Sequence, residues 1–162
     1  MLAVSNTSPI SNLAIIGRLE FLRRRYGIVH IPSAVKDELG ALTHPLGSQR
    51  IQAALSECWL VVKPLEASVS QTLPFPLDRG ETEAILLACQ LNADVLLIDE
   101  KRGREAARHR GLVVAGVLGE LIHAKLASWI PNVRDEIRRL HVDARFFVDE
   151  AVEKFILSQV GE

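Results

Sequence analysis

Six oxygen-bearing side chains fall at places along this chain where chemistry is expected. They are Asn6 in VSNTSPI, Glu38 in IPSAVKDEL, Glu81 and Glu83 in LDRGETEAILLA, and Asp99 and Glu100 in LLIDEKRGREAA. All but Asn6 are carboxylates, and no histidines or cysteines accompany them at metal-ligand spacing. Oxygen donors alone suit a hard divalent cation, Mg²⁺ or Mn²⁺, held by a few carboxylates with water completing the shell. Such an ion polarises a phosphoryl oxygen, lowers the pKa of bound water and stabilises a leaving oxygen, which is the chemistry of phosphodiester hydrolysis. No Ser–His or Cys–His nucleophile arrangement competes with this reading.

The elements that must position these residues read as an alternation of short apolar strands and helices. Residues 2–4 form the first strand, and a helical pattern broken at Gly17 follows. IVHI is the second strand, and PSAVKDELG the next helix, with Ser33 as its N-cap and Gly40 as its stop. A helix over SQRIQAALSEC leads into the strand WLVV, then into a proline-punctuated connection, KPLEASVSQTLPFP. Helices over LDRGETEAILLACQLNA, EKRGREAARHRG and VLGELIHAKLASW are separated by strands DVLLID and LVVAG, and from Pro131 onward the pattern is helical. This alternation predicts a single domain over residues 1–162, of three-layer α/β/α class, with a mainly parallel central sheet and a helical C-terminal part. In such sheets sites lie at the C-terminal strand ends, where Asn6 and Asp99 fall.

Each candidate also has a plainer reading. Asn6 would serve as a helix cap or Asx-turn, and Glu38 as a solvated helix residue. Glu81, three residues after Asp78, has the spacing of a capping box. Asp99 ends an apolar strand, so it must be solvated, paired, metal-bound or used as the N-cap of the next helix; Glu100 shares that ambiguity. On a helical wheel whose inward stripe is Ala84, Leu87, Ala88 and Leu91, Glu81 lies about 60° from the centre and Glu83 about 90°. Glu81 therefore ranks first, with Glu83 as a second ligand or a supporting residue. Thr7 and Ser8 would orient a metal-bound water or cap a helix. Arg102, Arg104, Arg108 and Arg110 surround the same strand end, to hold phosphate groups or to pair with Glu105 on a solvated face.

Composition narrows the classes. A chain of 162 residues with 48% hydrophobic content can bury a sizeable core, and a formal charge of −1 excludes nucleic-acid binding through overall basicity, leaving room for a local patch. No apolar run approaches the roughly 20 residues a membrane span needs, and no export signal is indicated. Cys58 and Cys89 fit buried, reduced thiols, hence a cytoplasmic protein, and His109 and His123 read as structural.

Taken in order, VSNTSPI, IPSAVKDEL, LDRGETEAILLA, LLIDEKRGREAA, GVLGELIHAK and the terminal VGE resemble the PIN-domain-like proteins of the DUF3368 family, relatives of VapC-type toxin ribonucleases. The resemblance implies a metal-dependent endoribonuclease, with catalytic carboxylates Glu38, Glu81 and Asp99. The metal set would be Asn6, Glu38, Glu81 and Asp99 with Glu83 and Glu100 beside them, and Thr7, Ser8, Arg102 and Arg104 would meet RNA. It also implies the toxin half of a toxin–antitoxin pair, with a small antitoxin protein as partner and a homodimer as assembly. The departure is Asn6, where the family pattern has an aspartate. That substitution supports an alternative, a catalytically weak or inactive PIN-like module binding RNA or protein. A phosphoacceptor domain using Asp99 is disfavoured, because no acidic pair follows the first strand.

Overall fold

A computed structural model of the protein describes residues 1–67 and 72–162. Part of the connection KPLEASVSQTLPFP therefore lies outside the described residues. The expected architecture is present: a five-stranded parallel sheet flanked by helices, a three-layer α/β/α arrangement. The strands are β1 (Ala3–Ser5), β2 (Val29–Ile31), β3 (Leu60–Val62), β4 (Val95–Leu97) and β5 (Val114–Ala115). Their order across the sheet is β3-β2-β1-β4-β5, with every neighbouring pair parallel.

Burial explains the order. AVS and VLL, the strands β1 and β4, are buried at every residue, as strands covered on both faces must be, whereas β3 and β5 at the edges are only partly covered. Beyond β1 the chain proceeds to β2 on one side, whereas β4 pairs with β1 on the other. The strand order therefore reverses between β1 and β4, which opens a crevice at their C-terminal ends. Ser5 pairs with Leu97 in register, and the Asn6 N–H continues the ladder to the Leu97 carbonyl at 2.9 Å.

The helices are α1 (Thr7–Ile15), α2 (Glu20–Tyr26), α3 (Ser33–Gly40), α4 (Pro45–Ser56), α5 (Arg79–Gln90), α6 (Lys101–His109), α7 (Val117–Leu126), α8 (Val133–Asp143) and α9 (Glu150–Gln159). Gly17, at φ +75°, makes the expected break between α1 and α2, a conformation L-residues rarely adopt. Two helix starts differ from expectation. Pro32, not Ser33, occupies the N-cap of α3, and the Ala34 N–H is satisfied from α5 by Glu83 Oε2 at 2.9 Å. Helix α4 starts earlier than its apolar pattern, at Pro45, because His44 Nδ1 accepts from the Gly47 N–H. Cys58, expected to be buried, is exposed; both cysteines are free thiols.

Two buried carboxylates tie the helical layers together. Glu136 on α8 takes a two-point contact from Arg18, at 3.1 and 2.8 Å. Glu120 on α7 accepts from the Tyr26 hydroxyl at 2.8 Å and from Arg25 at 2.9 Å. Burial, and next the Glu120 charge, hold the Tyr26 phenol well above its ordinary range, so it stays a donor. His123 packs edge-on against Trp129, consistent with a structural role.

Candidate active site

The crevice between β1 and β4 gathers most of the sequence-derived candidates. Asn6 stands at the N-cap of α1, yet its side chain makes no capping bond. Its Nδ2 donates instead to Glu100 Oε2 at 3.3 Å, across 94 residues of sequence. The residue is 3% exposed, and Asn6 Oδ1 is buried without a hydrogen-bond partner among the described residues. A native fold rarely leaves a buried amide oxygen unsatisfied, which makes Asn6 Oδ1 a candidate acceptor for a bound group.

Asp99 and Glu100 are adjacent in sequence but turn to different neighbours. Asp99 Oδ1 accepts from the Val117 N–H at 2.8 Å and Oδ2 from the Ser8 hydroxyl at 3.0 Å. Asp99 is therefore not the N-cap of α6; it takes the first amide of α7. Ser8 is held in turn by Asn12 Nδ2 at 3.1 Å. Burial pushes the Asp99 carboxyl up to about 6, against the opposing pull of the Val117 and Ser8 hydrogen bonds. Glu100 is the N-cap of α6 by backbone conformation, with no side-chain cap bond, leaving its carboxylate to Asn6.

Glu81 is a capping residue whose side chain also borders a cavity. It completes a capping box with Asp78, its N–H donating to Asp78 Oδ1 at 2.8 Å while its Oε2 accepts from the Asp78 N–H at 3.3 Å. It is also 7% exposed and faces an open cavity of about 440 Å³ that Glu100, Lys101 and Arg102 line as well. Burial, then Asp78 and Glu100 as negative neighbours, raise its pKa. Gly103 permits this approach, for a Cβ there would lie 3.2 Å from Glu81 Oε1 and 2.5 Å from Ile98 Cδ1.

Glu38 reaches the crevice from α3, accepting a short hydrogen bond from the Thr7 hydroxyl, and its carboxylate lies where a Cβ on Gly80 would fall. Glu83 does not join the group. Its two oxygens go to the Ala34 N–H and to Arg79 Nε at 3.0 Å, so it fastens α5 to α3. Sequence spacing carried no sign of that cross-helix cap. Arg104 lies beside Asp99 and donates to the Ile98 carbonyl at 3.3 Å, whereas Arg102 stacks over Phe75 and donates to the Pro76 carbonyl at 3.4 Å. Neither arginine forms an ion pair with Glu105 among the described residues.

Among the described residues no three His, Cys, Asp or Glu side chains stand together closely enough to hold an ion as they lie. The donor chemistry nonetheless fits a hard cation. Mg²⁺ takes one or two protein carboxylates and fills its shell with water and substrate oxygens, and Asn6 Oδ1, Glu81 and Glu100 supply one amide and two carboxylate oxygens around one crevice.

A five-stranded parallel sheet with carboxylates at its switch point is a doubly wound α/β arrangement, a class that includes the PIN-like domains. The chain belongs to the DUF3368 family of PIN domains, whose model matches residues 2–162. PIN domains are usually nucleases and generally use divalent metal ions. Its fold is similar to that of a PilT N-terminus domain protein from the hyperthermophilic archaeon Sulfolobus solfataricus P2, at 22% identity and a TM-score of 0.55, over 82% of this chain and 96% of that one. No curated protein matches the chain. No helix among the described residues is long and apolar enough to cross a membrane.

Proposed function

We propose that the protein is a Mg²⁺- or Mn²⁺-dependent endoribonuclease acting as the toxin of a toxin–antitoxin pair, with a small antitoxin protein as partner and a homodimer as assembly. The observation that carries the nuclease reading is the Asn6 amide oxygen, buried and unpartnered beside Glu100 at the β1–β4 switch point. The toxin, antitoxin and dimer rest on the family likeness to VapC-type proteins.

Asn6, Glu81 and Glu100 are the ion-holding residues in this proposal, with Glu38 and Asp99 flanking them. The bound ion supplies Lewis acidity and an activated water. Thr7 fixes Glu38, and Ser8 together with the α7 amide fixes Asp99, so the flanking carboxylates are oriented before substrate arrives. Lys101, Arg102 and Arg104 follow the same strand end and give the phosphates positive partners. The test is cleavage of single-stranded and structured RNA by purified protein in Mn²⁺, Mg²⁺ or chelator, with Asp99→Asn as control. Cleavage that requires the ion and is lost in the folded variant supports the proposal; cleavage that persists in chelator refutes it.

A second reading has its own support. Asn6 contributes no charge, so the site holds one carboxylate fewer than the family pattern and would bind an ion less tightly. A weak or inactive module that binds RNA or protein predicts no cleavage in any metal and RNA or partner binding that chelator leaves unchanged.

A further inference from the structure

A second cavity opens on the other side of Asp99. It measures about 530 Å³, within the range of about 300–1,000 Å³ common for ligand pockets, and runs between α6, α7 and α9. Leu118, Ile122 and Ile156 line it with the rings of Phe146 and Phe155. Phe155 is 63% exposed, and its ring borders the cavity beside Val152, another exposed apolar side chain. Lys101, Arg104 and Arg108 form the charged wall, and Asp99 is the one carboxylate among the described lining residues. Arg104 stands near Arg108, a like charge, and near Asp99, an opposite one, and it also donates to the Ile98 carbonyl, so three cations face one carboxylate and the wall carries a net positive charge. An apolar, aromatic trough with a net cationic wall is complementary to a flat, apolar-faced ring carried on an anionic backbone.

We propose that this groove is a nucleobase subsite: an unpaired base of the RNA strand lies against Phe155 and Phe146 while its flanking phosphates run along Arg104 and Arg108. The inference rests on the ribonuclease reading and deepens it. Asp99 borders the groove at one end, so a strand seated there is led directly into the crevice between β1 and β4. A base inside a duplex cannot enter, because its faces are already stacked, so the groove selects single-stranded or looped RNA.

The experiment measures binding of fluorescent single-stranded RNA, in chelator to prevent cleavage, to wild type, Phe155→Ala, Phe155→Trp and Arg108→Gln. A matched oligomer with abasic riboses gives the backbone contribution. Base–aromatic stacking predicts that wild type binds base-bearing RNA about 5- to 100-fold more tightly than the abasic oligomer. Phe155→Ala should abolish that difference, Phe155→Trp restore it, and Arg108→Gln weaken both probes alike. Equal binding of both probes to wild type and Phe155→Ala, in a protein that still cleaves RNA with Mn²⁺, overturns the subsite alone. A wild-type protein that neither binds nor cleaves RNA overturns the ribonuclease reading and the subsite with it. If Phe155→Ala converts a dimer to a monomer in sedimentation and leaves RNA binding unchanged, the groove holds a second copy and the proposal is wrong.

Discussion

The Asn6 amide donates to Glu100 Oε2 at 3.3 Å while its own Oδ1 stays buried without a partner among the described residues. Replacing that amide by a carboxylate changes both halves of the relationship. Asn6→Asp removes the donor to Glu100 and sets two like charges together, so the metal-free protein should melt at a lower temperature at neutral pH. The added charge should also bind a divalent ion more tightly, so Mn²⁺ should raise the melting temperature of Asn6→Asp more than that of wild type. Equal metal-induced shifts would leave Asn6 as an ordinary residue at a helix start.

Asp99 makes stability depend on pH in a stated direction. Burial pushes its folded pKa up to about 6, above the ordinary value for an aspartate, so folding favours the protonated form. Its contribution is fully present below pH 4 and is lost as pH rises through about 6, and the raised Glu81 carboxyl acts in the same direction. Asp99→Asn keeps the shape without the charge. It should stabilise the metal-free protein by about 1–3 kcal/mol at pH 7.5, with the gain vanishing near pH 4. Urea unfolding of both proteins at the two pH values measures this, and a gain that does not change with pH would contradict it.

Gly116 is where the backbone makes room for Asp99. A Cβ there would lie 2.5 Å from Asp99 Oδ1 and 3.3 Å from the Ile98 carbonyl, so Gly116→Ala must dislodge the carboxylate from the Val117 amide. Loss of that hydrogen bond should cost about 1–3 kcal/mol of stability and lower the nuclease rate more than RNA affinity. Gly80→Ala makes a useful contrast, since the atoms it meets belong to the flexible, exposed Glu38. Its stability should change by less than about 1 kcal/mol while Glu38 is displaced from Thr7.

The Arg18–Glu136 pair should behave as a buried ion pair. Glu136 is almost fully buried, with Arg18 on both of its oxygens and Arg139 on one of them at 3.5 Å, so Arg18→Ala leaves the buried charge with one longer-range partner and should destabilise by about 3 kcal/mol, the low end of what breaking a buried pair costs. Glu136→Gln strands less and should cost clearly less. Chemical unfolding of the two variants decides the order, and equal losses would argue against burial as the cause.

Much of this was legible in the sequence because the strands are short and uniformly apolar and the helices carry their own stops. AVS, VLL and the break at Gly17 need no tertiary information. The grouping of Asn6 with Glu100 came from the family resemblance and not from spacing, because it depends on strand order, which sequence spacing does not encode. The division of labour between neighbours was not readable either: Asp99 and Glu100 leave the strand end toward different helices, so Asp99 is held by α7, while Glu100 meets Asn6. Glu83 was drawn into the candidate set by proximity along the chain, but packing of α5 against α3 commits it to the Ala34 amide. The aromatic groove was invisible for the same reason, since it depends on α9 packing on α7 beside Asp99.

The location of the ion is the central claim, and Mn²⁺ binding measured by calorimetry on wild type, Glu100→Gln and Glu83→Gln tests it most directly. Losing one of two ligating carboxylates should weaken binding by roughly tenfold or more, so Glu100→Gln should lose affinity while Glu83→Gln binds as wild type does. Wild-type affinity in Glu100→Gln, or loss in Glu83→Gln alone, would contradict a site built on Asn6, Glu81 and Glu100.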